Sequence, residues 1–533
     1  MSKHAKRKVQ NVKKQDIPEK VQNIREQDVS EEMLNAETAF SNENYSLAFD
    51  YFKKGLGKKS DDTHILSRLG AVCIMLNKYD EAFEYFQRAV ILAPENGDYI
   101  FYLGNAYFFK DDYVKALNMY AEAEMKGISD KVKPHLYYYM ALICSANNNF
   151  EAALVNFEKY EKADKDKKVA FSIDVLSEKI KIYLALKKYD KAENCAVQWI
   201  MLAPEDIRGY MIRFNILMIK HDYKKATEVI EEVKKYVVID ETMRLNLGIE
   251  EVTLLTAQAD ENAKESKIYL EKALNLINEL IEKAPEDKKE EMKLILAETN
   301  MKMGNYSEAI NVAEILFKDL NENIMVQPAE SVYNTVSESD EDYEGLSEEE
   351  QDYLMEHYVQ NIEDEDELNN VFTQIETDVE YNTDSNNADN KNREKKFDID
   401  YYDRLCFVLL SCYAVTENYA KSYELGKILK NSNNTYYSYF GHYTEAFSAK
   451  KLMRKSQEFT KDMVDKKYTE NIAFYRKKML EGKSVNFAVM FRARMYAEMG
   501  KLAKAKEMAD LLSPAERESV MAYIEECRKT YDN

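Results

Sequence analysis

The stretch NKYDEAFEYFQRAVILAPEN, residues 77 to 96, combines the spacing of an amphipathic helix with a proline that stops it. Tyr79, Ala82 and Phe86 are separated by three and four positions, which places them on one face of a helix. Pro94 lacks an N–H group and clashes with the preceding turn, so it cannot continue a helix. The stretch therefore predicts one helix whose packed face carries two rings beside a small residue.

Near-copies of this helix recur along the chain. Alanines in the same setting are spaced 34 to 47 residues apart, and most have Tyr or Phe three positions earlier. Small residues such as Gly70 and Gly104 stand twelve positions before several of them. Small residues let two helix backbones approach, and neighbouring rings fill the space beside them. We call the repeated alanines the marker alanines: Ala48, Ala82, Ala116, Ala153, Ala192, Ala226, Ala273 and Ala309.

Two consecutive units carry a fuller signature, and in them the sequence resembles the tetratricopeptide repeat family. The matching residues are Leu69, Gly70, Ala82, Phe86, Ala89 and Pro94, then Leu103, Gly104, Tyr107, Ala116, Tyr120 and Ala123. The resemblance implies an all-α fold, a right-handed superhelical solenoid of antiparallel helix pairs. Such a pair cannot bury its own apolar face, so neighbouring pairs must stack. Low counts of glycine (14) and proline (7) are also typical of long helices.

The repeat and the charge pattern together predict four segments. Residues 1–28 form a basic flexible arm, and residues 29–326 a solenoid of about eight helical hairpins. Residues 327–396 form an acidic disordered insertion, and residues 397–533 return to repeats of the same kind with a capping helix.

Negative charge is concentrated in the insertion. The chain has a net charge of −22, and residues 319–390 alone hold 23 Asp and Glu with no Lys or Arg. A segment with so many carboxylates and few aliphatic residues cannot bury enough surface to offset the entropy of ordering. Two interpretations stay open: a solvated passive linker, or a regulatory strip that folds onto a basic surface or recruits a partner.

The N-terminal arm has the opposite charge. Residues 1 to 25 carry eight Lys or Arg against two acids. Clustered cations can neutralise nucleic-acid phosphates, but this arm has no folded reading head and no interleaved aromatic residues. We therefore expect a solubilising or intramolecular tail and do not expect nucleic acid as a partner.

Motifs of enzymes and metal sites are absent from the sequence. The six histidines are isolated, no HExxH, GKS or GKT occurs, and there is no GxSxG. None of the six cysteines forms a CxxC pair. We predict a protein that is not an enzyme, with no cofactor, no metal and no small-molecule substrate.

The sequence also predicts the cellular compartment of the protein and whether the chain inserts into a membrane. The most apolar segment, residues 405–415, is about half as long as the roughly 20 residues that cross a bilayer. No apolar stretch follows the basic N-terminus, so no secretory signal is expected. Scattered cysteines suit a reducing environment, and the predicted location is cytoplasmic, without membrane insertion.

The resemblance also implies a binding surface. In the family, the first helix of each pair lines a concave groove in which extended or helical peptides lie. The register carried onto this chain gives nine partner-binding candidates: Phe101, Asn105, Phe108, His135, Tyr138, Leu142, Lys181, Met211 and Asn215. Asp174, Ser177 and Met218 fall in the same register. Rings give contact area at low entropy cost and amides bond a peptide backbone, although many of these residues could instead pack between helices.

Two functions are compatible with such a groove. One is a scaffold or adaptor that binds protein or peptide segments, and the alternative is a regulator whose groove senses a signalling peptide. Some family members grip a C-terminal carboxylate with Lys, Asn and Arg, but the matching positions here include Ser67, Ala71 and Tyr102. That clamp is absent. No output module for a sensor is visible, which favours the scaffold.

Overall fold

The computed structural model describes residues 31–58, 60–164, 169–324, 399–480 and 485–531. Within these ranges the only regular secondary structure is α-helix, in 23 helices, which confirms the all-α prediction. The predicted basic arm and acidic insertion both lie outside the described residues.

The chain divides into two units, residues 1–216 and 217–533. The first unit holds ten complete helices and most of an eleventh: α1 Glu31–Ser41, α2 Tyr45–Lys58, α3 Thr63–Met75, α4 Tyr79–Leu92, α5 Gly97–Phe109, α6 Tyr113–Lys126, α7 Lys133–Ala146, α8 Phe150–Ala163, α9 Val169–Ala185, α10 Tyr189–Leu202 and α11 Ile207–Ile219.

The second unit holds the remaining twelve described helices. These are α12 Tyr223–Tyr236, α13 Glu241–Glu261, α14 Ser266–Lys283, α15 Glu286–Met303, α16 Tyr306–Ile324, α17 Ile399–Val415, α18 Tyr419–Leu429, α19 Thr435–Met453, α20 Lys461–Leu480, α21 Val485–Glu498, α22 Leu502–Ala509 and α23 Pro514–Tyr531. Read in order, α1 to α16 form eight consecutive pairs, α17 to α22 form three more, and α23 follows alone.

A short turn of fixed geometry joins the two helices of most pairs. The residue two positions before the second helix has a left-handed backbone, as in Asn77 (φ 59°) and Asp111 (φ 64°). The next N–H returns to a carbonyl in the last turn of the first helix, for example from Lys78 to Cys73 at 2.8 Å. This arrangement satisfies carbonyls that the helix end leaves free. It therefore folds the chain back with very few residues.

In seven of the eight pairs, the aromatic residue three positions before the marker alanine begins the second helix, whereas Ala273 is preceded by Leu270 within α14. The hydroxyl of a tyrosine at this position can also bond the turn: Tyr79 donates to Asn77 Oδ1 at 2.9 Å, and Tyr223 lies 2.7 Å from His221 Nδ1. The ring therefore supports the turn as well as the packed face.

All eight marker alanines are 0% exposed. In two pairs, a ring on the second helix presses on a glycine of the first helix. A methyl group added to Gly70 would lie 2.5 Å from the Phe86 ring, and one added to Gly104 would lie 2.6 Å from the Tyr120 ring. These separations are shorter than any ordinary carbon–carbon contact. The small residues are therefore required where the helices of a pair cross.

The first prediction concerns this crossing. Gly104→Ala should destabilise the first unit by about 1–3 kcal/mol, because the Tyr120 ring is fully buried and cannot move aside. Thermal unfolding followed by circular dichroism measures the effect. The control is Gly57→Ala, since a methyl group at Gly57 in α2 meets nothing within 4 Å. That variant should be neutral or slightly stabilised, and an equal response of both variants would contradict the packing argument.

Helices on either side of residues 325–398 pack directly on each other in the second unit. The Phe317 and Tyr402 rings are stacked with centroids 5.9 Å apart. Arg404 of α17 donates to both carboxylate oxygens of Glu298 at 2.9 Å and to Glu291 at 2.7 Å. Burial opposes the charge on Arg404, but these carboxylates raise its pKa above the ordinary value. The stack of helices is therefore continuous across the inserted residues.

Replacing residues 327–396 with a flexible Gly/Ser linker should consequently leave the helices intact. The variant should keep the helical circular dichroism signal per described residue, and its thermal midpoint should change little. Glu298→Ala in the full chain serves as the comparison, because it leaves Arg404 without two hydrogen bonds. A larger loss of stability from the deletion than from Glu298→Ala would show that the inserted residues hold the stack together.

Candidate functional site

The first helices of the central pairs supply the candidate site, and the structure buries several of its predicted residues. Phe101 and Phe108 are each 2% exposed, Tyr138 is 1% exposed and Leu142 is 6% exposed. Their rings pack on core neighbours, for example Phe108 on Tyr139 with centroids 5.0 Å apart. A ligand contacts only surface that solvent can reach. Burial therefore favours the packing role for these four residues, and partner contact by them stays a prediction.

Four of the other predicted residues keep exposed surface. Asn105, His135, Lys181 and Met211 are half-buried, on α5, α7, α9 and α11. Lys181 lies with its Nζ 3.6 Å from Glu178 Oε1, so its charge is partly balanced within α9. These side chains lie on four successive first helices of one unit. They form the part of the predicted site that a partner can reach.

Asn105 is held by the second helix of its own pair. Its Oδ1 accepts a hydrogen bond from the hydroxyl of Tyr120, fifteen residues later, at 2.8 Å. Tyr120 is fully buried, and burial raises the pKa of its hydroxyl well above the ordinary value. The hydroxyl therefore remains a donor at any physiological pH, which fixes the orientation of the Asn105 amide.

Asn215 has the same place in its repeat, eleven residues before a marker alanine, but a different environment. It is only 7% exposed, and its Nδ2 has no hydrogen-bond partner among the residues that the structure describes. Fifteen residues after Asn215 stands Ile230, which has no hydroxyl, whereas Tyr120 takes that position for Asn105. A buried amide left unbonded costs about 1–3 kcal/mol. Because the Nδ2 atom is itself buried, an acceptor from outside the chain reaches it only if the covering side chains move.

The second unit contains a buried polar network that the sequence did not predict. Glu445, 4% exposed, accepts hydrogen bonds from Lys430 at 2.9 Å and Lys467 at 2.7 Å. Burial alone raises the pKa of a carboxyl, but the two ammonium groups hold the pKa of Glu445 below its usual value. The group is thus a carboxylate tied between two lysines, and it joins three segments of the chain. Its partners lie 15 and 22 residues away in sequence, a separation with no periodic signature.

His442 lies beside that network. Its ring stacks on Phe474 with centroids 3.9 Å apart, and its Nδ1 is 3.0 Å from Asn471 Oδ1. Because Asn471 donates its Nδ2 to the His442 carbonyl, its Oδ1 accepts the proton from Nδ1. Burial is the main cause that lowers the pKa of His442 to about 4. The imidazole is therefore neutral and structural near pH 7.

A pH dependence follows for the second unit. In the unfolded chain the pKa of histidine is about 6.5. Below that pH the unfolded chain therefore binds a proton at His442, whereas the folded chain does not until the pH approaches 4. Stability should fall between about pH 6.5 and pH 4, by about 2–3 kcal/mol from this group. Amide hydrogen exchange in α19 to α21, compared at pH 7 and pH 4.5 after correction for intrinsic rates, measures the loss.

Matched variants separate His442 from other titrating groups. His442→Gln should be less stable at pH 7 but should lose less on acidification, because it has no imidazole to protonate. His64→Gln removes an exposed histidine instead and should retain the wild-type loss. An identical pH response of the His442 variant and the wild type would contradict the assignment.

The described ranges meet the requirements of neither a metal site nor a membrane-spanning helix. No cluster of three or more His, Cys, Asp or Glu there could hold a metal ion. Likewise, no helix in those ranges has the length and apolar character needed to span a bilayer. All six cysteines are free thiols.

Comparisons with known proteins agree with the hairpin geometry. A family model described as tetratricopeptide repeat matches residues 64–96, the pair α3 and α4. No match was found among curated protein sequences.

Several solved structures match part of this chain. A tetratricopeptide repeat protein from Parabacteroides merdae is 18% identical over 50% of this chain and 97% of its own, with a TM-score of 0.32. The C-terminal part of a TPR repeat-containing protein from Cytophaga hutchinsonii is 20% identical over 47% and 98%, with a TM-score of 0.36.

YrrB, a TPR protein with an unusual peptide-binding site, is 14% identical over 39% of this chain and 97% of its own, with a TM-score of 0.30. These likenesses say nothing of what this chain binds. The family match shows that the pair α3 and α4 is a tetratricopeptide repeat, and the same helical hairpin recurs before and after it.

Proposed function

We propose that this protein is a non-catalytic scaffold that binds protein or peptide segments along the first helices of its first unit. The fold supports protein–protein interaction in general, and the finer assignment rests on one residue. Asn215 is buried with an unbonded Nδ2. A ligand carbonyl that displaced the side chains covering this donor would remove the cost of leaving it unbonded. Asn105, His135, Lys181 and Met211 supply half-buried surface on the same and preceding first helices.

The predicted ligand is a peptide in an extended or helical conformation. A backbone carbonyl of such a peptide accepts from Asn215, while Met211 offers a flexible apolar contact and Lys181 a cation. Because Lys181 is already near Glu178, its contribution to affinity should be small. The specificity for one peptide over another then depends mainly on the shape of the binding surface and on the hydrogen bond from the Asn215 amide. The free thiols of all six cysteines also support a reducing compartment, and we propose the cytoplasm.

Substituting Asn215 tests this proposal through stability and binding together. Asn215→Leu replaces an unbonded amide with a hydrocarbon of similar shape, so the free protein should become more stable by about 1 kcal/mol. Peptides selected from a displayed library on the full-length protein should bind this variant about tenfold more weakly. Thermal unfolding and fluorescence anisotropy give the two quantities.

Asn156 provides the matched control. It is also 7% exposed, but its Nδ2 donates to the Ala152 carbonyl at 2.9 Å, within α8. Asn156→Leu should not stabilise the protein and should leave peptide affinity unchanged. If Asn215→Leu is more stable and binds every selected peptide as well as the wild type, the amide is not part of the binding site.

A further inference from the structure

Half-buried aromatic residues form a connected surface in the second unit. We call it the ring surface, and its members are Phe407, Tyr436, Tyr437, Phe440 and Phe487. Phe407 belongs to α17, Phe487 to α21 and the other three to α19. The centroid of the Phe407 ring lies 4.8 Å from that of Phe440 and 5.6 Å from that of Tyr436. Tyr436 is in turn 5.1 Å from Phe487, so the ring surface extends over the first helices of three successive pairs.

Arg494 borders the ring surface and has no counterion within the described ranges. It stands seven positions after Phe487 on α21, which places both side chains on one face of that helix. The residue is half-buried, its Nε is buried without a hydrogen-bond partner, and its guanidinium forms no ion pair with a described residue. Burial raises the pKa of Tyr436, and the charge of Arg494 opposes that rise. The guanidinium therefore lies close enough to the rings for one ligand to contact both.

A second arginine near the rings is already balanced. Arg404, three positions before Phe407 on α17, bonds the carboxylates of Glu298 and Glu291. The unbalanced charge of Arg494 favours an anionic ligand instead, because a carboxylate can accept two charge-assisted hydrogen bonds from one guanidinium. The neighbouring rings favour apolar and aromatic side chains in the same ligand. The site therefore fits a segment that combines acidic and aromatic residues.

We propose that the ring surface and Arg494 bind residues 343–362 of the same chain. This stretch reads YEGLSEEEQDYLMEHYVQNI and contains six Asp or Glu, no Lys or Arg, and eight tyrosine or aliphatic residues. Residues 399–533, which include the ring surface, hold 23 Lys or Arg against 18 Asp or Glu, so the two charges are complementary. This contact goes beyond the proposed scaffold function and does not depend on it.

Covalent attachment brings the stretch within reach of the ring surface. Residue 362 precedes Ile399, the first residue of α17, by 37 positions. A flexible chain of that length has an end-to-end distance of roughly 30–36 Å. Phe407 lies only about 12 Å farther along α17. Because both partners belong to one chain, the local concentration of the stretch is high, and individually weak contacts are sufficient for binding.

Photocrosslinking in the full-length protein tests the contact. Tyr436 is replaced by p-benzoylphenylalanine, which keeps a ring at that position, and crosslinked peptides are identified by mass spectrometry after irradiation. The expected products join position 436 to residues 343–362. A mixture of nitrogen-15-labelled and unlabelled chains distinguishes products within one chain from products between two copies. The yield should fall severalfold between about 0.05 M and about 0.5 M salt, because charge attraction contributes to the contact.

Removing the arginine tests the charged part of the site. Arg494→Gln should lower the crosslink yield about fivefold to tenfold, because the charge that attracts the carboxylates is lost. Arg244→Gln makes the same change at an exposed arginine in the first turn of α13, outside the ring surface, and its yield should equal that of the wild type. Circular dichroism verifies that both variants remain helical.

A second set of variants leaves every described helix untouched. Replacing the three glutamates of residues 348–350 with Gln should lower the yield severalfold, because half of the carboxylates in the proposed ligand are lost. The control removes three carboxylates from the same acidic segment but outside residues 343–362, by Glu376→Gln, Glu380→Gln and Asp384→Asn. Its yield should equal that of the wild type.

Three results would overturn the proposal. The crosslinks could join position 436 to a second copy or to residues other than 343–362. They could be absent. They could also persist at full yield after Arg494→Gln or after the change at residues 348–350. None of these results bears on Asn215, so the scaffold proposal stands or falls separately.

Discussion

The contact between a ring on one helix and a small residue on its partner is the constraint on which this structure depends. Phe86 on Gly70 and Tyr120 on Gly104 leave no room for even a methyl group. The marker alanines are completely buried for the same reason, since a larger side chain would push the helices apart. Pairs that share this contact present similar surfaces and can stack by repetition.

The turn within each pair follows from that constraint. Two helices that cross closely must be joined by few residues, and the left-handed residue at Glu43, Asn77 or Asp111 makes the reversal possible. Left-handed backbone is unfavourable for residues with a side chain, by about 1–2 kcal/mol. The recovered hydrogen bonds offset this cost, as in Asp112 N–H to the Tyr107 carbonyl at 3.0 Å. Because the turns are short, the first repeats have a regular spacing along the sequence.

How far the sequence predicts this protein depends on whether a feature is periodic. The helices and the burial of Ala82 or Ala116 could be predicted, because an offset repeated along the chain fixes one helix face. The exposure of individual rings could not. A central first helix packs against its own partner and both neighbouring pairs, so Phe101 and Phe108 are covered from several sides.

Non-periodic features could not be predicted from the sequence for a related reason. Glu445 accepts hydrogen bonds from Lys430 and Lys467, which lie at sequence separations that follow no repeat. No sequence pattern therefore predicts this contact. The missing hydrogen-bond partner of Asn215 could not be predicted either. Its residue type fits the repeat, and only the loss of the tyrosine found fifteen residues after Asn105 distinguishes the two positions.

The unbonded amide of Asn215 is the strongest structural argument that the repeat does more than stack. Other buried asparagines in this protein satisfy their own donors: Nδ2 of Asn156 bonds the Ala152 carbonyl and that of Asn300 bonds the Leu296 carbonyl at 3.0 Å, each within one helix. This internal bond is the simple solution for an asparagine on a helix, and Asn215 does not make it. An array that served stability alone would hold a hydrocarbon at this position. The unbonded donor on a first helix is the observation that supports the proposed recognition of a peptide carbonyl.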